Sequence, residues 1–152
     1  DWRDKLNSVL LSMEPSAFER LAQRLLRESG FTQVEVSGRS GDGGIDGKGI
    51  IRLNGILSFH TIFQCKRYQG SVSASHMRDF RGAMQGRADK GLFITTGTFT
   101  RDAIKEATRD GAPPIDLING EQLMDMLRDL ELGVKEVIKK DYEVDTAWFE
   151  KI

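Results

Sequence analysis

Apolar residues recur at Phe18, Leu21, Ala22, Leu25 and Leu26, the i, i+3, i+4, i+7, i+8 spacing that lines one stripe of an α-helix. Pro15-Ser16 stands where this stripe starts and Gly30 just past its end, so the pattern predicts a half-buried helix over Ser16 to Ser29. The period then drops to two. Thr32 to Ser37 alternates polar and apolar as a first strand, Ile45 to Leu53 reads as a second and Ser58 to Tyr68 as a third. Asn54-Gly55 marks a hairpin turn between the latter two. Helical spacing returns over Ser73 to Arg87, where Met77, Phe80, Ala83 and Met84 share a side. Gly91 to Thr95 reads as a buried strand, Arg101 to Asp110 as a helix, Ile115 to Ile118 as a last strand, and Glu121 to Leu130 as a helix after Asn119-Gly120. At the N-terminal side, Trp2 to Ser12 has helical character without a clear cap and reads as an appendage. Leu132 to Ile152 is the least readable stretch. The order α-β-β-β-α-β-α-β-α places a strand-helix-strand crossover between the third and fourth strands, which demands parallel pairing beside antiparallel hairpins. The expected fold is α/β, a mixed sheet of about five strands flanked by helices.

Length and charge narrow this further. A chain of 152 residues is expected to be one domain, 1–152, and buries roughly 68–70% of its unfolded surface. Its core should span about 16–130, with 131–152 as a C-terminal extension. Lys and Arg number 22 against 23 acidic residues, so any grip on nucleic acid must come from a local basic face rather than overall charge. The single cysteine, Cys65, excludes an internal disulfide and fits a reducing compartment, and two histidines without nearby cysteines argue against zinc. No apolar run approaches the ~20 residues of a membrane span, and no signal peptide is visible. The expectation is a soluble, cytoplasmic protein. The chain begins at Asp1 rather than methionine, as a piece of a longer protein would.

Two segments carry the candidate chemistry. Thr61 to Tyr68 would be an ordinary buried strand, with Ile62, Phe63 and Cys65, were it not for Gln64 and Lys66. Residues two apart share a face, so these two polar side chains project together. Lysine on a core strand is costly to bury unless paired. Some eighteen residues earlier lies Gly41-Asp42-Gly43-Gly44-Ile45-Asp46-Gly47, where glycine permits close backbone approach by a phosphate or metal and aspartate is otherwise a common turn former. An acid, an amide and a lysine on adjacent strands are the outline of a metal-dependent phosphodiesterase site. The Gln64 amide oxygen is a hard donor that magnesium accepts. The bland alternatives are a backbone-bonded amide at Gln64 and a simple Lys66–Asp46 ion pair. Asp42 reads as a turn former or outer partner, His60 and His76 as hairpin and helix-start residues rather than bases, and Cys65 as a small inert core residue.

GDGGIDG, QCKRY, GLFITTGTFTRDAIKEA and IDLINGEQLMDML together resemble the catalytic domain of Mrr-type restriction endonucleases, a branch of the PD-(D/E)XK nuclease superfamily, over about Ser16 to Leu127. The resemblance implies a restriction-endonuclease-like α-β-β-β-α-β core and a magnesium site, with manganese able to substitute. It places the first acid at Asp46 and a QxK pair at Gln64 and Lys66, where most of the superfamily has (D/E)xK. The metal would be held by Asp46, Gln64 and the Cys65 carbonyl, and Lys66 would stabilise the transition state. The superfamily's glutamate on the first core helix would be Glu19, although Ser16-Ala17-Phe18-Glu19 also fits a capping box without chemistry. Arg39, Lys48, Arg67 and Tyr68 flank the site and are expected to contact phosphates. The implied partner is double-stranded DNA, foreign or modified, cut in a restriction role, with a homo-oligomer expected because one site cuts one strand. A separate DNA-recognition domain is expected to precede the chain. The rival readings are a repair or junction-resolving nuclease, and a nuclease-like module that binds DNA without cutting it.

Overall fold

The computed structural model describes residues 1–39, 44–67 and 69–152, and of residues 37–39 and 44–45 the backbone alone. Helix α1 (Trp2–Ser12) is capped by Asp1, whose side chain accepts from the Arg3 amide at 3.2 Å. It is no appendage: Leu10 is buried in the core, and Arg3 reaches Glu121 at 3.0 Å and also Asp125. Helix α2 (Pro15–Glu28) buries the expected stripe of Phe18, Ala22, Leu25 and Leu26. It starts one residue before the expected position, because proline's fixed φ and missing N–H suit a first helical turn. Gly30, at φ +104°, turns the chain into the sheet.

Strands β1 (Phe31–Arg39), β2 (Gly44–Leu53) and β3 (Leu57–Lys66) form an antiparallel meander. The β2–β3 turn has Asn54 at φ +54° and Gly55 at +69°, the two positive values a tight hairpin of this hand requires. A short strand β4 (Ser71–Val72) leads into α3 (Ala74–Met84), followed by β5 (Lys90–Thr95), another short strand β6 (Thr98–Phe99), α4 (Arg101–Ala107), β7 (Ile115–Ile118), α5 (Gly120–Asp129) and α6 (Thr146–Glu150). The five-stranded sheet has the order β1-β2-β3-β5-β7, with β5 parallel to β3 and β7 parallel to β5. The mixed sheet flanked by helices is therefore as expected. The sequence reading missed the parallel β4–β6 pair, two residues being too few to show a period. Helix α3 also stops short of Arg87, where Gln85 is extended and Gly86 takes φ +73°.

Two hydrophobic layers sandwich the sheet. On one face α1, α2 and α5 cover Phe63, Cys65, Leu92 and Ile94. On the other, Val72, Met77, Phe80, Met84, Ala103 and Ala107 surround Phe93 and Ile115. Within that second layer Arg81 of α3 is buried and fully used: it donates to Glu106 Oε2 at 3.0 Å and to the carbonyls of Pro113 and Ala107 at 2.6 and 3.3 Å. That pairing locks α3 to α4, and so fixes the helix that borders the site.

Candidate active site

Asp46 on β2 stands directly opposite Gln64 on β3, and Gly44 opposite Lys66. Cβ atoms of directly opposed residues lie about 4.5–5.5 Å apart, so carboxylate and amide meet on one face, with Lys66 two residues along it. That is the α3 face, where Asp46 and Gln64 line a cleft of about 330 Å³ together with Asp79, Phe80 and Ala83 of α3, and Arg87. Asp46 is exposed and Gln64 half-buried, whereas Lys66 is only 6% exposed. The expected acid-amide-lysine triad is brought together.

Several devices hold Lys66. Its carbonyl accepts from Thr95 Oγ1 at 2.8 Å and from the Thr96 amide at 3.2 Å, anchoring the end of β3 to the end of β5. Its ammonium nitrogen lies 3.3 Å from Nε2 of half-buried His76. His76 does start a helix, as expected, sitting third in α3 in a capping box with Ser73. The second contact, to Lys66, escaped the sequence reading. The available signal was Ser73-x-x-His76, a capping-box spacing with imidazole where Glu or Gln is usual. The β4–β6 pair sets this geometry, with Ser71 and Thr98 hydroxyls 2.6 Å apart and the Thr100 amide donating to the Val72 carbonyl at 3.0 Å.

The thiol of Cys65 points away from the cleft into the opposite core, and burial pushes its pKa up to about 12, with the Asp46 carboxylate adding to the shift. Its expected inertness follows, and any metal-binding role falls to the backbone carbonyl. Gly47 has a packing role. A Cβ there would overlap both the Phe63 ring and the Glu35 carbonyl, so what approaches closely at this glycine is the chain itself rather than a ligand.

Glu19 is half-buried on α2. The capping box that Ser16 and Glu19 spelled does not form: the N-cap position belongs to Glu14, no side chain caps α2, and Ser16 already lies inside the helix. Arg67, expected at a phosphate, lies over the Phe18 ring at 5.3 Å and donates to the Leu10 carbonyl at 3.3 Å and to the Met13 carbonyl. It joins the end of β3 to the α1–α2 junction. Lys48 is exposed on the Asp46 face of β2, 3.5 Å from Glu35. The Arg39 side chain, Asp42 and Tyr68 lie outside the described part of the structure.

Among the described residues no three His, Cys, Asp or Glu side chains gather into a metal-binding group. The donors at hand among the described residues are the Asp46 carboxylate, the Gln64 amide oxygen and strand carbonyls, with the Asp79 carboxylate on the same cleft, all hard oxygens that suit magnesium or manganese rather than zinc. No helix among the described residues is long and apolar enough to cross a membrane.

Comparisons with known proteins bear on the family and the fold. Residues 10–127 match a family model described as a restriction endonuclease, the Mrr catalytic domain. The type IV methyl-directed restriction enzyme EcoKMrr of Escherichia coli K12 is 33% identical over 155 aligned residues, covering 97% of this chain and 49% of that protein. An uncharacterised mitochondrial protein of Schizosaccharomyces pombe is 29% identical over 100 residues, 63% of this chain and 40% of its own. The chain thus spans half or less of the length of the curated relatives it matches. Among solved structures, the DNA modification-dependent restriction endonuclease AspBHI superposes with a TM-score of 0.68 at 24% identity, over 86% of this chain and 36% of that one, a likeness of fold.

Proposed function

We propose, because this chain belongs to the restriction-endonuclease family as an Mrr-type catalytic domain, that it hydrolyses phosphodiester bonds of double-stranded DNA at Asp46, Gln64 and Lys66 with magnesium or manganese. The observation that carries this reading is the register, which sets Asp46 opposite Gln64 and brings Lys66 onto the same face. A cation held by the Asp46 carboxylate, the Gln64 amide oxygen and the Cys65 carbonyl would supply Lewis-acid activation of the phosphate and of the attacking water. The Lys66 ammonium, carried on a buried strand, offsets the negative charge that grows on the phosphoryl oxygens, and low local polarity strengthens it. Gln64 in place of a carboxylate removes one negative charge, so the cation is held more weakly but remains more electrophilic. Glu19 acts at the edge of the site, ordering water. Lys48, Arg39 and Tyr68 take neighbouring phosphates. For Lys48 this means leaving Glu35, an exposed pair worth at most about 1 kcal/mol. Arg67 serves the scaffold.

Of the named relatives, EcoKMrr is methyl-directed and AspBHI modification-dependent, which supports modified DNA as the substrate and restriction as the role. Cutting both strands calls for two copies or two sequential events, since a single site cuts one strand. Reading the modification falls to a segment beyond the one described. Supercoiled plasmid incubated with the chain should be nicked in magnesium or manganese and spared in excess chelator. Full cutting under chelation would remove the metal chemistry, and binding without cutting in any divalent cation would leave a DNA-binding module. Full-length protein on methylated against unmethylated plasmid tests the substrate.

A further inference from the structure

We infer that His76 is a positioning residue for hydrolysis, one ring nitrogen bonded to Ser73, the N-cap of α3, while the other holds the Lys66 ammonium. This rests on the assignment of Lys66 to transition-state charge. The chain contains its own control for what a cap alone requires. At α5, Asn119 Oδ1 accepts from the Gln122 amide and Gln122 Oε1 accepts from the Asn119 amide, both at 2.9 Å. An amide side chain in the third helical position thus completes a capping box, as is usual. At α3 the same position is an imidazole. Its Nδ1 lies 3.1 Å from Ser73 Oγ and 3.2 Å from the Ser73 amide, and the His76 amide lies 3.4 Å from Ser73 Oγ. The ring is longer than the cap needs, and its far edge brings Nε2 to 3.3 Å from Lys66 Nζ.

Proton counting fixes how these contacts combine. An ammonium has donors only, and neutral imidazole has one donor and one acceptor. Facing charged Lys66, Nε2 must therefore be the acceptor, and the ring proton sits on Nδ1, donating to Ser73 Oγ. The alternative, in which Nδ1 accepts from the Ser73 amide and closes the capping box, would aim Nε2–H at the ammonium, so holding Lys66 gives up that half of the box. Lys66 thus selects the δ-protonated tautomer, and Ser73 fixes the ring that in turn fixes Lys66. Lysine is a point charge on a flexible stem, so a fixed acceptor at its tip holds that charge where the phosphoryl oxygens form.

His76→Gln separates the two roles, because glutamine completes the capping box as Gln122 does and spends its oxygen there. The expected result is an unchanged melting temperature and KM with nicking slowed ~10- to 100-fold, the size typical of losing a group that orients its neighbour at a metal site. Wild-type nicking by a folded His76→Gln chain would overturn the inference and leave His76 a cap. Ring ¹⁵N shifts of the wild-type chain give a second reading independent of how the variant folds: the δ-protonated tautomer is expected, and an ε-protonated His76 would overturn the Lys66 contact. If the wild-type chain cuts nothing in any divalent cation, the nuclease reading fails, while the tautomer still decides the contact.

Discussion

The two faces of β3 divide the labour of the molecule. Phe63 and Cys65 point into the layer beneath α1, α2 and α5 and are 1% and 2% exposed, without a polar task. Gln64 and Lys66, interleaved with them, point to the α3 side, where a lysine is kept only 6% exposed beside a histidine. A single strand therefore carries fully buried core side chains and the candidate chemistry at alternate positions. The comparison teaches that the site's precision comes from its reverse side. A residue on the reactive face cannot shift without dragging its neighbours out of a close-packed core.

Exchanging the roles of the faces gives the largest effects. Lys66→Met keeps the buried stem's volume and removes the charge. Nicking should fall roughly a thousandfold, the scale of losing one transition-state charge stabiliser, while the chain stays folded. Phe63→Ala should do the opposite, costing about 3–5 kcal/mol of stability in urea titration, while cleavage per folded molecule at low temperature stays measurable. If Lys66→Met unfolds the chain, or Phe63→Ala costs nothing, the division between faces is wrong.

Gln64→Glu sharpens the comparison on the reactive face alone. A carboxylate opposite Asp46 should tighten magnesium binding about tenfold by calorimetry, the worth of ~1.4 kcal/mol. An unchanged dissociation constant in a folded variant would take Gln64 off the metal. Glu19→Gln tests the rim from α2. No capping box involves Glu19, so the substitution does not uncap α2, and a loss of nicking without a loss of melting temperature marks it as part of the site. Unaltered nicking removes it.

The smallest effect belongs to Cys65. Its folded pKa of about 12 lies above the ordinary 9.0 because the thiol is buried, so the native state holds the proton more tightly than the unfolded chain. The stability this contributes is fully present below pH 9 and is lost as the pH climbs from 9 towards 12. Iodoacetamide at pH 8 should leave the native thiol unlabelled and react readily in urea. Brisk native labelling would show that this face of β3 is not closed.

Much of the molecule was legible because its signals are local. Helical stripes, strand alternation and the Asn54-Gly55 turn rest on residues a few positions apart, so α2, the meander, β5, β7 and α5 were found within a few residues of their ends. Gln64 and Lys66 stood out on a strand for the same reason. What failed were readings that stopped at a short local spelling. Ser16 and Glu19 spell a capping box, yet Pro15 takes the first turn and Glu14 becomes the cap position. Arg67 adjoins the candidate site in sequence, yet the α1–α2 junction, more than fifty residues away, claims its guanidinium.

By itself, then, the sequence determined the kinds and order of the main elements, the crossover that forces a mixed sheet and the residue types able to hold a cation and a phosphate. Periodicity along a chain contains those facts. Only the tertiary structure decided that Asp46 faces Gln64, that the ends of β3 and β5 are tied through Thr95 and Thr96, that Arg81 is buried against Glu106, and that His76 reaches Lys66. Each of those contacts depends on how separate elements are placed in space. That placement is set by sheet register and by the volumes packed between layers, which no local spacing encodes.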